Sequence, residues 1–301
     1  MEDRRVLLGL IGSPIAHSAA PAMHEAAGRA TGLRVHYQLI DVPGADTATL
    51  RALAEGVRRL GFAGVNVTFP YKEAVLALLD AIDPAAAPIG AVNTVVVRDG
   101  RLIGHNTDTT GFAAAITEDI ADPAAGPVAL IGAGGVGRAA GFALARLGVP
   151  DLRILDSAPE KAAALARDLE RAGAPRARAA TDLATALVGA AGVVNATPVG
   201  MLPDRGTPIP PSLLHAGLWV ADVVYYPLVT PLLTDARAAG ARTVTGRALT
   251  IHQAADAFAL FTGVRPPIAA LGAAFDAVIA ARTAAPDTGA PGAAAHQPAA
   301  H

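Results

Sequence analysis

The 301-residue chain has no cysteine. That excludes a disulfide framework, a thiolate metal site and a thiol nucleophile, and it fits a reducing compartment. Charge is scarce too. Only 17% of residues are Asp, Glu, Lys or Arg, the formal net charge is −2, and Lys and Arg form no run, so no long-range field gathers nucleic acid or an anionic membrane. No apolar run reaches the roughly 18 residues of a membrane span, and the apolar stretch in "MEDRRVLLGLIGSP" is too short for a signal peptide. His17, His24, His36, His105, His215 and His252 are scattered without a metal-ligand spacing such as HExxH. No repeat of fixed period is visible. These absences predict a cytoplasmic protein with neither nucleic-acid nor membrane partners and no metal.

What is present is apolar: 52% of residues, enough to fill the cores of two ordinary domains. The first third alternates "RVLLGLIG", a helix around "PAMHEAAGRA", "VHYQLIDV", a helix around "TLRALAEGVRRL", then "GVNVTF" and a helix in "KEAVLALLDAI". That is a βαβ rhythm with a parallel sheet. "AVNTVVVRDGRLIGHNTD" reads as two extended runs joined by a two-residue turn at Asp99-Gly100, a strong hairpin signal. A second α/β unit opens at "GPVALIGAGGVGRAAGFALARLG", and "ALTIHQAADAFALFTG" and "PPIAALGAAFDAVIAAR" close the chain with helices. From Thr283 onward only Ala, Pro, Gly and polar residues remain, too little bulky apolar surface to offset ordering entropy, so residues 283–301 read as a disordered tail.

Three stretches carry chemistry. Gly132-x-Gly134-x-x-Gly137 follows a strand-like run and opens a helix, the context in which glycines permit a tight turn, close approach of a pyrophosphate and helix–strand packing. The next strand, "LRILD", ends at Asp156, near the spacing of the acid that holds the adenosine ribose hydroxyls. An ordinary glycine-rich turn is the plain alternative, and a dinucleotide is the better reading. Pairing the hairpin through Asp99-Gly100 sets Arg98 opposite Arg101, Asn93 opposite Asn106 and Ala91 opposite Asp108. Asn93, Asn106 and Asp108 then share one face, unless "HNTD" is an Asx turn. In "GVNVTFPYK", Pro70 favours a helix start and puts Lys72 in its first turn, where the dipole disfavours a cation. A snorkelling surface lysine is the alternative to a functional one.

Taken together, the sequence resembles the shikimate/quinate dehydrogenase family along nearly the whole ordered chain. The matching pieces, in order, are "GSPIAHSAAPAMHEA", "GVNVTFPYK", "GAVNTVVV", "GHNTDTTG", "GAGGVGRA", "NATPVGM", "DVVYYP" and "IHQAADAF". "PAMHEAAG", "VVNATPVGM" and "IHQAADAFALFTG" are most similar to its NAD-linked quinate/shikimate branch. The resemblance implies two α/β domains, with a Rossmann-type nucleotide domain (107–246) inserted into a substrate domain built from both chain ends (1–106 and 247–282). It implies oxidation and reduction of the ring hydroxyl of quinate and shikimate with NAD, by a monomer or homodimer.

Residue by residue, Lys72 and Asp108 resemble the family's catalytic pair, and Thr68, Asn93 and Gln253 its substrate hydroxyl ligands. Ser18 resembles one of two hydroxyl residues that hold the substrate carboxylate, and Tyr225 the tyrosine that flanks the site. Gly132, Gly134, Gly135, Val136, Gly137 and Asp156, with Asn195, Thr197 and Met201 of the later loop, correspond to cofactor-binding positions. The chain departs from the family pattern at Ala20, where Ser or Thr usually precedes the proline, so one carboxylate contact is expected to be missing. That keeps an amino-substituted ring acid open as substrate. An NADP-linked biosynthetic enzyme is a further alternative, and so is a non-catalytic dinucleotide sensor. Against NADP stand Asp156 itself and "SAP" directly after it, where NADP-linked relatives tend to have Asn and then Arg. An aspartate beside a lysine favours the ammonium, which suits proton donation to a carbonyl oxygen. For oxidation the expectation is a coupled pair sharing a proton.

Overall fold

The computed structural model describes residues 4–284. In the first part, β1 (Arg5–Gly12), α1 (Ala20–Thr31), β2 (Arg34–Asp41), α2 (Thr47–Arg59) and β3 (Phe62–Val67) follow the expected alternation. Then come β4 (Ala81–Ile82), β5 (Thr94–Arg98), β6 (Arg101–His105) and α3 (Thr107–Asp119). Six strands form one sheet in the order β2-β1-β3-β5-β6-β4. It is mixed rather than parallel: β1 runs parallel to β2 and β3, while β5 is antiparallel to both β3 and β6. The hairpin has the expected register, Arg98 opposite Arg101, with Asp99 at φ 51° and Gly100 at φ 71°. Two successive left-handed residues match the turn to the right-handed twist of the strands.

Three expectations for this region are corrected. "KEAVLALLDAI" does not form an α-helix; Ala74–Leu78 is a single 3₁₀ segment, and the chain re-enters the sheet at β4. Lys72 therefore lies in the turn before it and not in the first turn of an α-helix of its own. Asp108 is not on the hairpin, because β6 ends at His105 and Asn106 caps α3 by accepting from the Thr109 N–H at 3.1 Å. In "HNTD" the Asn106 side chain bonds the backbone ahead of it, as in the Asx-turn alternative, but as the cap of a helix, and α3 itself is an element that the pattern of extended runs did not reveal. Finally, Thr283 and Ala284 belong to the last helix; the rest of the expected tail lies outside the described residues.

The second unit comprises β7 (Val128–Ile131), α4 (Gly135–Arg146), β8 (Leu152–Leu155), α5 (Pro159–Arg171), β9 (Ala177–Ala179), α6 (Leu183–Leu187), β10 (Gly192–Asn195), β11 (Trp219–Asp222), α7 (Pro231–Ala238) and β12 (Arg242–Val244). Its six strands are all parallel, in the order β12-β11-β10-β7-β8-β9. That is the doubly wound nucleotide-binding order, with its switch point between β7 and β10, where such sheets bind ligands at the strands' carboxyl ends. Burial on both faces explains why β10 and β11 are buried at every residue, as parallel sheets require.

Two closing helices, α8 (Gly246–Thr262) and α9 (Ile268–Ala284), return to the first unit, where Ile251, Phe258, Leu271 and Phe275 share a core with Met23 of α1. α8 also crosses α3 tightly at Gly111, where a Cβ would stand 2.8 Å from the Gln253 nitrogen and 3.0 Å from the Leu249 carbonyl oxygen. A side chain there would hold the helices apart. The two sheets are joined by a continuous apolar seam, since Ile89 and Ala91 pack in one cluster with Phe112, Leu130 and Ala140. Arg138 and Arg146 of α4 reach across it to the Ile89 and Ala85 carbonyls.

Candidate active site

The end of β3 delivers Lys72 to the seam. Its carbonyl accepts from the Val92 N–H at 2.8 Å, which fixes the turn beside the start of β5. Its ammonium donates to Asp108 Oδ2 at 2.5 Å, with the two side chains 11% and 9% exposed. Asp108 Oδ1 accepts from Asn93 Nδ2 at 2.8 Å. That same amide donates to the Thr107 hydroxyl, while its oxygen accepts from the Thr107 N–H and the Thr94 hydroxyl. Asn66 continues the chain by donating to Thr94 Oγ1 and accepting from the Tyr37 hydroxyl at 2.8 Å. A buried polar network thus runs from β2 to the carboxylate, each member satisfied as buried polar groups require.

Thr68 follows β3 directly, and its methyl lies over Gly12, where a Cβ would come within 2.3 Å. Gln253 sits on α8 at the Gly111 crossing, one turn of α3 from Asp108, with its amide donating to the Thr250 carbonyl at 3.0 Å. Ser18 lies just before α1; its Oγ accepts from the Ala20 N–H at 3.2 Å, which leaves its own proton free to donate. Tyr225 packs edge-on against Phe275, ring centroids 6.0 Å apart. Burial pushes its phenol above the ordinary range, and the Arg282 charge opposes that.

The glycines of the loop have separate reasons. Gly132 stands at φ +102°, and a Cβ on Gly137 would stand 2.0 Å from the Gly132 carbonyl oxygen, so the first is conformational and the third is close packing. Around Gly134 a Cβ would meet no protein atom within 4 Å, so the space beside it is open. Gly134 caps α4 with no side chain, and the first N–H groups of a helix have no intrahelical partner. Open space before uncapped N–H groups is a cradle for an anion, and it fits the pyrophosphate of a dinucleotide. Gly135 touches the other half of the site: its Cβ position is 3.1 Å from Lys72 Cδ. Val136 is half-buried in the same first turn.

Asp156 accepts from the Ala133 N–H at 2.7 Å and the Ala158 N–H at 2.9 Å, so it faces the loop and retains lone pairs for two hydroxyls. Asn195 is fully buried: it donates to Val199 O and Asp222 Oδ1 and accepts from Thr197, so it shapes its loop from within. Met201 is 45% exposed. Burial pushes the Asp222 carboxyl up to about 6, against hydrogen bonds from Thr230, Val224 and Asn195. Sequence reasoning missed Asn66, Thr94, Thr107 and Tyr37; a polar Asn66 inside an otherwise apolar strand was the available signal. Among the described residues no group of three or more His, Asp or Glu side chains could hold a metal, and no helix is long and apolar enough to cross a membrane.

Fold and loop define an α/β protein of the dinucleotide-dependent oxidoreductase class. Residues 10–95 match the shikimate dehydrogenase substrate binding domain. The chain is 48% identical over 271 residues to a shikimate dehydrogenase (NADP(+)) of Streptomyces avermitilis, covering 88% of this chain and 93% of that protein. It is 47% identical to a quinate/shikimate dehydrogenase (NAD(+)) of Corynebacterium efficiens, covering 91% and 99%. The crystallised quinate dehydrogenase of Corynebacterium glutamicum in complex with NAD superposes with a TM-score of 0.85 at 41% identity, over 91% of this chain and 100% of that one. The chain belongs to the shikimate/quinate dehydrogenase family of NAD(P)-dependent oxidoreductases.

Proposed function

We propose that this protein interconverts quinate and shikimate with their 3-dehydro ketones, using NAD in preference to NADP. The observation that carries the reaction is the buried Lys72–Asp108 pair at 2.5 Å, in contact through the lysine stem with the first residue of the glycine-loop helix. Residues 1–106 and 247–282 form the substrate domain and 107–246 the cofactor domain. Sheet membership supports this division, with β1–β6 in one sheet and β7–β12 in the other.

The N–H groups of Gly135, Val136 and Gly137 hold the pyrophosphate, and Asp156 accepts from the adenosine ribose hydroxyls. Thr197 and Met201 of the 195–201 loop border the cofactor, and Asn195 keeps that loop in shape. The bound nicotinamide supplies the hydride acceptor in oxidation and the donor in reduction. Lys72 donates a proton to the ketone oxygen in reduction. In oxidation it stabilises the developing alkoxide and shares the departing proton with Asp108. Asn93 holds Asp108 in place, while Thr68 and Gln253 meet ring hydroxyls, where a missing match leaves a polar group unpaired. Ser18 holds the ring carboxylate with Tyr225 beside it. NAD is favoured because a 2′-phosphate would meet Asp156 as like charge, with Ser157, Ala158 and Pro159 offering no cation.

The test is absorbance at the NADH band with purified protein, NAD or NADP, and quinate, shikimate and aminoshikimate in parallel. Turnover of quinate and shikimate with NAD, at least tenfold more efficient than with NADP, is expected. Turnover of the amino compound alone would replace the substrate assignment, and reduction with none of them would leave a dinucleotide sensor.

A further inference from the structure

Beside the loop proposed to hold the ring carboxylate lies a cation that no motif above includes. Arg282, in the last turn of α9, donates from Nη1 to the His17 carbonyl at 3.1 Å, one residue before Ser18. Its guanidinium carbon stands 3.6 Å from the centroid of the Tyr226 ring, so the side chain lies between the Ser18 loop and the segment that carries Tyr225. Its charge is felt at the Tyr225 phenol. Other charges of these elements are already paired: Arg247 of α8 takes Asp276 of α9, and Lys72 takes Asp108. Arg282 makes no ion pair among the described residues; it meets a carbonyl and an aromatic face.

A carboxylate entering this end needs compensation, because removing it from water unpaired is costly. The Lys72–Asp108 pair is already neutral as a unit. Ser18 offers one neutral donor, and Ala20 offers none where the family pattern has a second. We propose that Arg282 is a specificity residue that receives the substrate carboxylate, in place of the hydroxyl absent at Ala20. The guanidinium retains donors beyond the one given to His17, and a carboxylate is the partner its planar fork matches. The protein would then select anionic rings by charge where a pair of hydroxyls selects by hydrogen bonding alone. This inference rests on the substrate class proposed above.

The test contrasts quinate with its carboxamide, as ligands of the NAD-loaded protein by calorimetry and as substrates by steady-state kinetics. In Arg282→Gln, the Kd and KM for quinate should rise about tenfold or more, with turnover falling far less and affinity for the carboxamide changing little. Arg282→Lys should keep part of the quinate affinity, and Ala20→Ser should recover part of it in the Arg282→Gln background. An equal rise for carboxylate and carboxamide would make Arg282 a structural tie of the 17–18 loop, and no rise for either would overturn the proposal. The two readings fail separately. Wild-type protein that binds quinate without forming NADH would refute the proposed reaction, whereas the binding contrast alone decides Arg282.

Discussion

On stability alone, a lysine and an aspartate with 11% and 9% exposed side chains could be exchanged for apolar residues with little loss, because desolvation offsets most of their attraction. Their retention at the seam points to chemistry. Lys72→Met keeps the alkyl stem that lies against Gly135 and removes the ammonium, so turnover should fall by roughly two decades or more while NAD affinity changes little. Near wild-type turnover would reduce Lys72 to a packing residue. Cofactor choice is tested at two adjacent residues: Asp156→Asn together with Ser157→Arg should erode or reverse the preference for NAD, read as the ratio of kcat/KM for the two cofactors. His24 gives a different kind of prediction. It is stacked on Tyr37 at 4.6 Å, has an unpartnered Nδ1, and burial lowers its pKa to about 3. Only the unfolded chain takes up its proton between pH 6.5 and about 3, so folding stability falls as pH drops through that window. At pH 5 the penalty from this one side chain is about 2 kcal/mol. His24→Phe should flatten that part of the profile, measured as urea midpoints at pH 7.5 and 5; an unchanged slope would assign the acid sensitivity to other groups.

At the scale of elements, the β-α alternation, the hairpin and the glycine loop were legible because local signals and tertiary packing agree there. The loop after Lys72 was not. Its apolar periodicity suits a helix, but the backbone of Asp80 and Asp83 is drawn into hydrogen bonds with Leu102 and Gly104 of β6, and that edge pairing overrides propensity. Asp108 was assigned to the right cluster by the wrong route: alternation along a strand put it beside Asn93, whereas the cap at Asn106 turns the chain into α3 and brings the carboxylate back to Asn93 at 2.8 Å. Arg282 carried no legible signal, since nothing in the sequence links α9 to His17. The α3–α8 crossing is the element on which the site depends most. Gly111→Ala would press a methyl to 2.8 Å from the Gln253 nitrogen, and neither main chain yields cheaply. A loss of about 1–3 kcal/mol in stability is expected, with a raised KM for the ring substrate as Gln253 moves. An unaltered urea midpoint would show that the helices part freely.

For the whole molecule, the division into two sheets predicts how ligands stabilise it. NAD at about 100 times its Kd should add about 2.7 kcal/mol and raise the melting temperature by several degrees, while NADP at the same concentration should raise it far less; equal shifts would deny Asp156 its discriminating role. The contacts between the halves have a chemistry of their own. Arg138 and Arg146 reach from α4 to the carbonyl oxygens of Ile89 and Ala85, and so recognise main chain, which every amino acid presents alike. The side chains of the receiving segment answer to a different constraint: Ile89 and Ala91 pack into the seam, and Gly90 leaves room for the Arg138 guanidinium. Cofactor halves should therefore be exchangeable between relatives that keep the apolar pair and the glycine of residues 89–91, provided the incoming helix carries those two arginines and a glycine where the lysine stem rests.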